Sequence, residues 1–295
     1  MKHWWILALG LLLTLAALPQ DASARSRKRK MRMRHMTFNI RYDFENDGQN
    51  RWANRVDLIV KSVQQADPDV VCLQEDKTHQ IEDLQPKLTD YEFIGRGRNA
   101  TGSGERCSIL YKKDVFKVKD SGSFWLSDTP DVPGSNTWRD KYPRVVTWAL
   151  LVPKANKSHQ VLVLNTHLAE GNRDDIRRRG AEVMADWLKA RVSGKDAEEI
   201  HVVISGDFNT GEGTDPYRVL TDGEVKLRDA WKEGKTVAKS PGTFSGFRGL
   251  QTQERIDWIL LGGPTRALRV VKMEDKIDDR WPSDHYALVA DVELR

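Results

Sequence analysis

Cysteine is scarce in this sequence: Cys72 and Cys107 are the only two among 295 residues. So few cysteines exclude a disulfide-rich scaffold, and their spacing does not indicate a metal site. The two could pair in an exported protein or remain as buried free thiols. Internal repeats and a convincing interdomain linker are lacking, and there is no low-complexity block beyond the N-terminal segment. We therefore expect one folded domain with a deep core.

An apolar run long enough to cross a membrane comfortably is lacking as well. The longest apolar stretch, residues 4–18, follows a short positive start and precedes the small residues Ala22, Ser23 and Ala24. This order predicts a secretory signal peptide over residues 1–24, cleaved near Ala24, and hence export to the periplasm or the exterior. Retention of the segment as a membrane anchor is the alternative.

Acidic residues are missing from residues 25–34 (RSRKRKMRMR), which hold seven Lys or Arg. A block of one charge sign is typical of a solvated, disordered arm, and such an arm could contact an anionic surface. The whole sequence carries a net charge of +4, so the chain from His35 onward carries −3. A mildly acidic body is poorly suited to neutralising the phosphates of a long duplex, although it does not exclude nucleic acid. We expect the folded domain over residues 35–295, as a monomer.

The most informative stretch that is present is IHVVISGDFNT, residues 200–210. Its apolar residues predict a short buried strand that ends at Gly206, with Asp207 and Asn209 at the C-terminal tip. Because side chains alternate along a strand, Asp207 and Asn209 point to the same side. A carboxylate and an amide in that arrangement suit a metal-bound water or a phosphate oxygen, whereas the alternative is an ordinary turn.

Polar residues also end several other apolar strands. The full set comprises Asn39, Glu75, His167, Asp207, Asn209, Asp257, Asp284 and His285. Each one alone is more typical of a cap or of a hydrogen-bonded core group, but together they form an oxygen-rich set. Oxygen ligands without cysteine favour a hard cation such as Mg²⁺, Mn²⁺ or Ca²⁺ over Zn²⁺.

Strand and helix patterns alternate in the first part of the chain, and strands follow one another in the last part. Apolar spacing predicts helices over residues 55–65, 78–88 and 174–192. This order favours two mixed β-sheets packed on each other, with helices outside.

Six short motifs carry a resemblance to a known family: TFN (37–39), LQE (73–75), NTH (165–167), GDFN (206–209), RIDWIL (255–260) and SDH (283–285). They resemble the signature blocks of the endonuclease/exonuclease/phosphatase superfamily, which has the deoxyribonuclease-I-like fold. Their order is that of the family, and the surrounding sequence is similar to a secreted bacterial branch of unassigned substrate. The resemblance implies a four-layer α/β sandwich, with two central mixed β-sheets flanked by helices, and hydrolysis of phosphoesters with Mg²⁺ or Mn²⁺.

The resemblance also implies roles for individual residues. Glu75 resembles the metal-ligating carboxylate, with Asn39 beside it, and Asp284 resembles a residue sometimes used for a second metal. Asp207 resembles the residue that orients or deprotonates the attacking water, and Asn209 resembles the amide that holds the phosphate or that water.

Two histidines complete the implied site. His285 resembles the catalytic histidine, and Asp257 resembles the carboxylate that orients it. His167 matches the second histidine of nuclease-like branches, with Glu105 resembling its partner acid. A carboxylate behind each histidine would raise its pKa, so that two imidazolium rings and one metal ion would stabilise the charge on the phosphoryl oxygens. Arg144 could bind phosphate or form a buried structural ion pair.

These observations predict an exported, divalent-metal-dependent phosphoesterase that hydrolyses a phosphodiester. Nucleic acid, a phospholipid head group and a small phosphorylated sugar or metabolite compete as substrates. A phosphomonoesterase of a sugar or lipid phosphate is the alternative within the same chemistry. The alternative of another class is a non-catalytic binding module that keeps the fold.

Overall fold

The computed structural model describes residue 1, residues 30–192 and residues 199–295. Apart from Met1, the predicted signal peptide lies outside the described residues, as do positions 25–29 of the predicted arm. Within the described ranges, no helix is both long and apolar enough to span a membrane.

The elements alternate between strands and helices along the chain. The helices are α1 (Val56–Ala66), α2 (Thr78–Leu84), α3 (Asp174–Arg191), α4 (Asp215–Thr221) and α5 (Ala230–Glu233), with short 3₁₀ turns at Glu45–Asn50 and Trp52–Asn54. The strands are β1 (Met31–Asn39), β2 (Val70–Gln74), β3 (Tyr91–Ile94), β4 (Ile109–Lys112), β5 (Phe116–Trp125), β6 (Val145–Pro153), β7 (Gln160–His167), β8 (Ile200–Asp207), β9 (Arg228–Asp229), β10 (Lys235–Val237), β11 (Asp257–Gly262), β12 (Thr265–Met273) and β13 (Ala287–Leu294).

The strands form two mixed sheets. The first has the order β10-β12-β13-β1-β2-β4-β3, and the second has the order β5-β6-β7-β8-β11-β9. Strand β1 is parallel to β2 and antiparallel to β13, while β7 is parallel to β8 and β11 runs antiparallel to β8. Parallel pairing places the C-terminal ends of neighbouring strands at one edge of each sheet, where the predicted site residues lie.

Three apolar clusters hold the layers together. Val163 and Val203 belong to the cluster between the two sheets, where both are fully buried. Met184 of α3 packs on the outer face of the second sheet, and Ile59 of α1 packs with Phe38 on the outer face of the first. Burying a side chain of this kind contributes about 1.5–3 kcal/mol. The order helix, sheet, sheet, helix confirms the predicted four-layer α/β sandwich.

The predicted helices are present, with one that is shorter than expected. Helices α1 and α3 agree with the predicted ranges to within a residue at each end. Helix α2 ends at Leu84 instead of residue 88, because Pro86 has no backbone N–H to donate to the preceding turn.

The predicted boundary between arm and domain is wrong by four residues, because β1 begins at Met31. Met33 is 1% exposed and faces the core between the sheets, whereas Arg34 points outward and donates to Asp291 at 2.8 Å. Lys30, just before the strand, pairs with Glu293 at 3.3 Å. The MRMR segment alternates apolar and basic residues, which is the pattern of a half-buried strand.

Both cysteines are buried and free in the described part of the chain. Cys72 lies in β2, within the cluster between the sheets, and Cys107 lies in a small cluster with Trp125 and Val145. Of the two alternatives left open by the sequence, the structure has the buried thiols.

Candidate active site

The predicted residues meet where the two sheets face each other at their C-terminal edges. Asn39 ends β1 in the first sheet and Asp207 ends β8 in the second, and the Asn39 Nδ2 atom donates to Asp207 Oδ2 at 2.9 Å. His285 lies 3.7 Å from the same carboxylate oxygen, and His167 lies 3.5 Å from it. Asp207 is therefore the residue on which the cluster converges.

Asn39 joins the two carboxylates of the site. Its Nδ2 donates to Glu75 Oε1 at 3.0 Å as well as to Asp207, while its Oδ1 accepts from the backbone N–H of Arg41 at 2.9 Å. The Asn39 Oδ1 atom accepts this one hydrogen bond and keeps a second lone pair, so its role as an oxygen ligand of the metal stays a prediction. The amide nitrogen holds Glu75 and Asp207 at a fixed separation.

The backbone at this edge adopts sparsely populated conformations. Glu75 has a φ of 66° and Asn209 has a φ of 52°, both in the left-handed region. Such a conformation is tolerated by Asn but uncommon for Glu, and strained positions of this kind concentrate at functional sites. Gly206 is required for a different reason, because a Cβ there would lie 2.1 Å from the Thr166 carbonyl oxygen.

Asp257 and His285 form a buried pair. The His285 Nδ1 atom lies 3.0 Å from Asp257 Oδ2, and the backbone N–H of Asp257 donates to Thr243 Oγ1 at 3.2 Å. Burial opposes a charged ring, but Asp257 and Asp207 outweigh it and raise the pKa of His285 well above its ordinary value. These surroundings favour the imidazolium form of His285, which stays a prediction.

Asp207 is a buried carboxylate with several donors around it. Its Oδ1 accepts from the backbone N–H of Asn209 at 2.9 Å, and it is 1% exposed. Burial raises the pKa of Asp207 to about 7, against the lowering influence of His285 and with a further increase from Asp257. A group with a pKa near neutrality is suited to accept and release a proton.

The surroundings of His167 favour a neutral ring over the predicted second imidazolium. Its Nε2 lies 2.8 Å from Asn209 Nδ2, and the Leu168 carbonyl accepts from the same Nδ2 at 3.1 Å. Because the amide nitrogen is the donor, the ring nitrogen is the acceptor. Burial, together with the positive charges of Arg144 and Arg98, lowers the pKa of His167 well below its ordinary value.

The predicted pairing of Glu105 with His167 is wrong. Both carboxylate oxygens of Glu105 accept from the guanidinium of Arg98, at 2.9 Å each. Sequence reasoning did not foresee this pair, because Arg98 and Glu105 sit at opposite ends of a loop that folds back on itself. Glu105 still lines the cleft beside the cluster, as a loop-bracing residue.

Arg144 and Asp284 lie at the margins of the cluster. Arg144 is 5% exposed and donates to Asp140 Oδ2 at 3.1 Å, which is the structural ion pair given as its alternative. Its guanidinium also lines the cleft. Asp284 accepts from Ser283 Oγ at 3.2 Å and lies 3.8 Å from Arg41 Nε. In the described residues Asp284 does not join either potential metal cluster.

Two groups of side chains could hold a metal ion. One comprises Glu75, His167 and Asp207, and the other comprises Asp207, Asp257 and His285, with one ligand atom from each residue within 4.8 Å of the others. An imidazolium cannot coordinate a cation, so the charged state of His285 disfavours the second group. Glu75 and Asp207 supply carboxylate oxygens that fit a divalent cation such as Mg²⁺ or Mn²⁺, whereas the lone pair of His167 Nε2 already accepts a hydrogen bond from Asn209 Nδ2.

A cleft of about 360 Å³ adjoins Glu75 and His167. Its walls include residues that sequence reasoning missed: Arg41, Tyr42, Lys77, Lys141 and Tyr142. Their sequence position could have indicated this, because Tyr42 and Lys77 follow shortly after the strand-end residues Asn39 and Glu75. Residues just beyond the end of a strand line the same pocket as the strand-end residue itself.

Similarity to known proteins defines the family of this chain. The model of the Endonuclease/Exonuclease/phosphatase family matches residues 36–285. The chain belongs to this family, whose members are hydrolases that act on phosphoester bonds. The family resemblance carried by the six motifs is confirmed. The alternative of a non-catalytic binding module is not confirmed.

Among solved structures, bacterial family members are similar over almost their whole length. A family protein from Bacteroides vulgatus is 30% identical with a TM-score of 0.82, covering 90% of this chain and 100% of that one. A mannosyl-6-phosphatase from Bacteroides thetaiotaomicron is 28% identical with a TM-score of 0.81, covering 88% and 99%. The 2′,3′-cyclic phosphatase ANGEL2 is 18% identical with a TM-score of 0.69, which shows the shared fold alone.

Curated relatives match over a smaller part of their length. Protein angel homolog 2 of Bos taurus is 26% identical over 203 residues, which is 67% of this chain and 35% of that protein. The chain therefore spans about a third of the curated relatives that it matches.

Proposed function

We propose that this protein is a divalent-metal-dependent phosphomonoesterase that acts on a small phosphorylated compound, with a sugar phosphate as the preferred class. The observation that carries the proposal is the cleft of about 360 Å³ beside Glu75 and His167, which is lined mainly by charged side chains. A pocket of this volume suits a small molecule. The 28% identity to a mannosyl-6-phosphatase supports the choice of a sugar phosphate.

Glu75 and Asp207 would hold the metal ion. When bound, the ion would neutralise charge on the phosphoryl oxygens and favour attack by water. Asn39 keeps the two carboxylates apart through its Nδ2 atom, and Asn209 fixes the ring of His167 with a hydrogen bond. These two amides therefore position the groups that act on the substrate.

Asp207 and His285 divide the remaining work in this mechanism. Asp207 accepts the proton of the attacking water. The His285 imidazolium, held by Asp257, stabilises the negative charge that develops on the phosphoryl group. The bond from water to phosphorus forms while the phosphorus–ester oxygen bond breaks, and the proton taken by Asp207 returns to the departing oxygen. The products are inorganic phosphate and an alcohol.

This proposal differs from the phosphodiester expected from the sequence, which stays a prediction. A long polymer needs a groove that continues beyond the reacting phosphate, and the body of the chain is mildly acidic. A small monoester needs only the cleft. Nucleic acid and phospholipid remain the substrates against which the proposal is tested.

The deciding experiment is a substrate panel measured with and without EDTA. Residues 25–295 would be assayed with mannose 6-phosphate, 4-nitrophenyl phosphate, bis(4-nitrophenyl) phosphate, DNA, RNA and phospholipid vesicles. We expect kcat/KM for sugar monophosphates to exceed that for diesters by about tenfold or more, the discrimination that one charged hydrogen bond provides. Faster turnover of a diester or a nucleic acid would overturn the proposal.

Export is proposed on the sequence pattern of residues 1–24. N-terminal sequencing of the extracytoplasmic protein should find a start near Arg25, whereas a start at Met1 would refute cleavage.

The role of the basic segment, residues 25–34, in contact with an anionic surface is proposed on its charge. Since β1 begins at Met31, the deletion that tests this role should remove residues 25–29 and leave the strand intact.

A further inference from the structure

The charges that line the cleft are almost completely matched. Five basic side chains face it: Arg41, Lys77, Arg98, Lys141 and Arg144. Four of them have a carboxylate partner: Arg41 with Asp47 at 3.0 Å, Arg98 with Glu105 at 2.9 Å, Lys141 with Glu170 at 3.2 Å, and Arg144 with Asp140 at 3.1 Å. These ion pairs shape the walls of the cleft and leave little charge for a ligand.

Lys77 is the exception. In the described parts of the chain it forms no ion pair with a carboxylate, although it is half-buried. Its ammonium donates to the Asp43 carbonyl at 3.1 Å and lies 4.6 Å from the centre of the Tyr42 ring. One carbonyl contact uses one of the three ammonium protons, so Lys77 keeps donors and a full charge for a ligand.

The position of this ammonium is tied to the catalytic cluster. Tyr42, whose ring lies beside the Lys77 ammonium, also donates its backbone N–H to Glu75 Oε2 at 3.0 Å. Lys77 follows Glu75 by two residues, and both side chains line the same cleft. The side chain therefore reaches the space in which a phosphate next to Glu75 would lie.

A phosphate monoester differs from a diester in the atom that such an ammonium would contact. The monoester has three non-bridging oxygens and a charge between about −1.5 and −2 at neutral pH. In a diester, one of these oxygens carries a second carbon and the charge falls to about −1. A cation without an ion-pair partner discriminates between the two, because its interaction grows with the negative charge of the ligand. Glu105, on which the Lys77 charge also acts, is already paired with Arg98.

We propose that Lys77 binds the third non-bridging oxygen of a phosphate monoester and thereby makes the enzyme select monoesters over diesters, an inference that rests on the proposed function. Lys77 is a specificity-determining residue in this scheme, and proton transfer stays with Asp207. The arrangement also predicts that Lys77 binds the dianion of inorganic phosphate, the product of the reaction.

The test compares Lys77→Gln, Lys77→Arg and Lys113→Gln with the wild type. Lys113 is a matched control, since its ammonium also donates to a backbone carbonyl, that of Thr89 at 2.8 Å, but lies outside the cleft. For Lys77→Gln, kcat/KM for 4-nitrophenyl phosphate should fall about 10- to 100-fold, while that for bis(4-nitrophenyl) phosphate changes about threefold or less. Lys77→Arg should keep most of the preference, and Lys113→Gln should keep all of it.

Calorimetric binding makes the test independent of turnover. Inorganic phosphate should bind the wild type more tightly than Lys77→Gln by about 10- to 100-fold, while dimethyl phosphate should bind both alike. Equal losses for monoester and diester, or unchanged phosphate binding in a folded variant, would overturn the role of Lys77. Wild-type protein that turns over diesters faster than monoesters would instead overturn the proposed function, whatever phosphate binding shows.

Discussion

The His285 Nδ1 atom lies 3.0 Å from Asp257 Oδ2, and this contact connects the two sheets. Asp257 opens β11 in the second sheet, and His285 lies just before β13 in the first. If Asp257 orients and charges the ring, Asp257→Asn should lower turnover by about 10²–10⁴-fold with the fold intact, as His285→Ala should. Steady-state kinetics on 4-nitrophenyl phosphate measure both values.

The double variant separates a working pair from two independent residues. Because the two side chains act as one unit, the double variant should lose little more activity than the worse single variant. Turnover of folded Asp257→Asn within about threefold of the wild type would contradict a dyad, since loss of an acid–base group costs far more.

Metal dependence follows from the carboxylate oxygens of Glu75 and Asp207. EDTA should abolish hydrolysis, and Mg²⁺ or Mn²⁺ should restore it. Glu75→Gln should weaken Mn²⁺ binding by about tenfold or more, measured by calorimetry without substrate, because an amide oxygen replaces a carboxylate. Glu92→Gln, in β3, is the control and should bind Mn²⁺ normally. Full activity in chelator, or rescue by Zn²⁺ alone, would refute this site.

The ion pair between Arg98 and Glu105 should contribute to stability. Glu105→Gln leaves the largely buried Arg98 guanidinium without its carboxylate, and it should lower the free energy of unfolding by about 1–3 kcal/mol. Glu182→Gln, which removes an exposed i,i+4 partner of Arg178 on α3, should cost less than about 1 kcal/mol. Urea unfolding measures both changes.

The same variant tests the sequence-based role of Glu105. Since Glu105 contacts Arg98 and not His167, Glu105→Gln should leave the pH dependence of turnover unchanged. A shifted limb in the pH–rate profile of the variant, measured where it is folded, would restore the predicted pairing with His167.

His35 should make stability depend on pH. The ring is fully buried between the sheets, with Nε2 2.8 Å from Ser205 Oγ, and burial lowers the pKa of His35 to about 3. Below its ordinary pKa of 6.5, the unfolded chain binds a proton that the folded chain does not. The stabilisation is therefore complete above pH 6.5 and declines as the pH falls towards 3, by about 2 kcal/mol at pH 5.

The measurement compares unfolding free energies of the wild type and His35→Gln at pH 7.5 and pH 5. Gln does not titrate, so the advantage of the wild type should shrink by about 2 kcal/mol on acidification. The exposed His79→Gln is the control and should follow the wild type at both pH values. Parallel pH dependence of wild type and His35→Gln would contradict the assignment.

The strand-end residues could be predicted from sequence, because a polar residue after an apolar run marks its own position. Asp207, His285 and Glu75 were found in this way, and the structure brings them together. The state of His167 could not be predicted, since it depends on burial and on the charges of Arg98 and Arg144, which come from distant loops. The orientation of the Asn39 amide likewise depends on the local backbone at Arg41.

The start of the first strand could not be predicted from the basic composition of residues 25–34. Seven basic residues within ten positions are typical of an arm, and this composition outweighed the alternation of Met and Arg over residues 31–34. In the structure the strand is stabilised by its partners, as Met31 pairs with Leu294 and Arg34 with Asp291. An alternation of apolar and polar residues indicates a β-strand even when every polar residue in it is charged.

Strand β1 pairs with β13, and this pairing joins residues near position 31 to residues near position 294. The first sheet is therefore complete only after a contact of very long sequence separation has formed. During synthesis β1 emerges long before this neighbour exists, and its hydrogen-bonding groups on that side remain open. Topologies with such distant pairings fold slowly and expose aggregation-prone edges on the way. Acquisition of the native state therefore awaits the last strand, and removal of β13 should abolish folding instead of shortening the sheet.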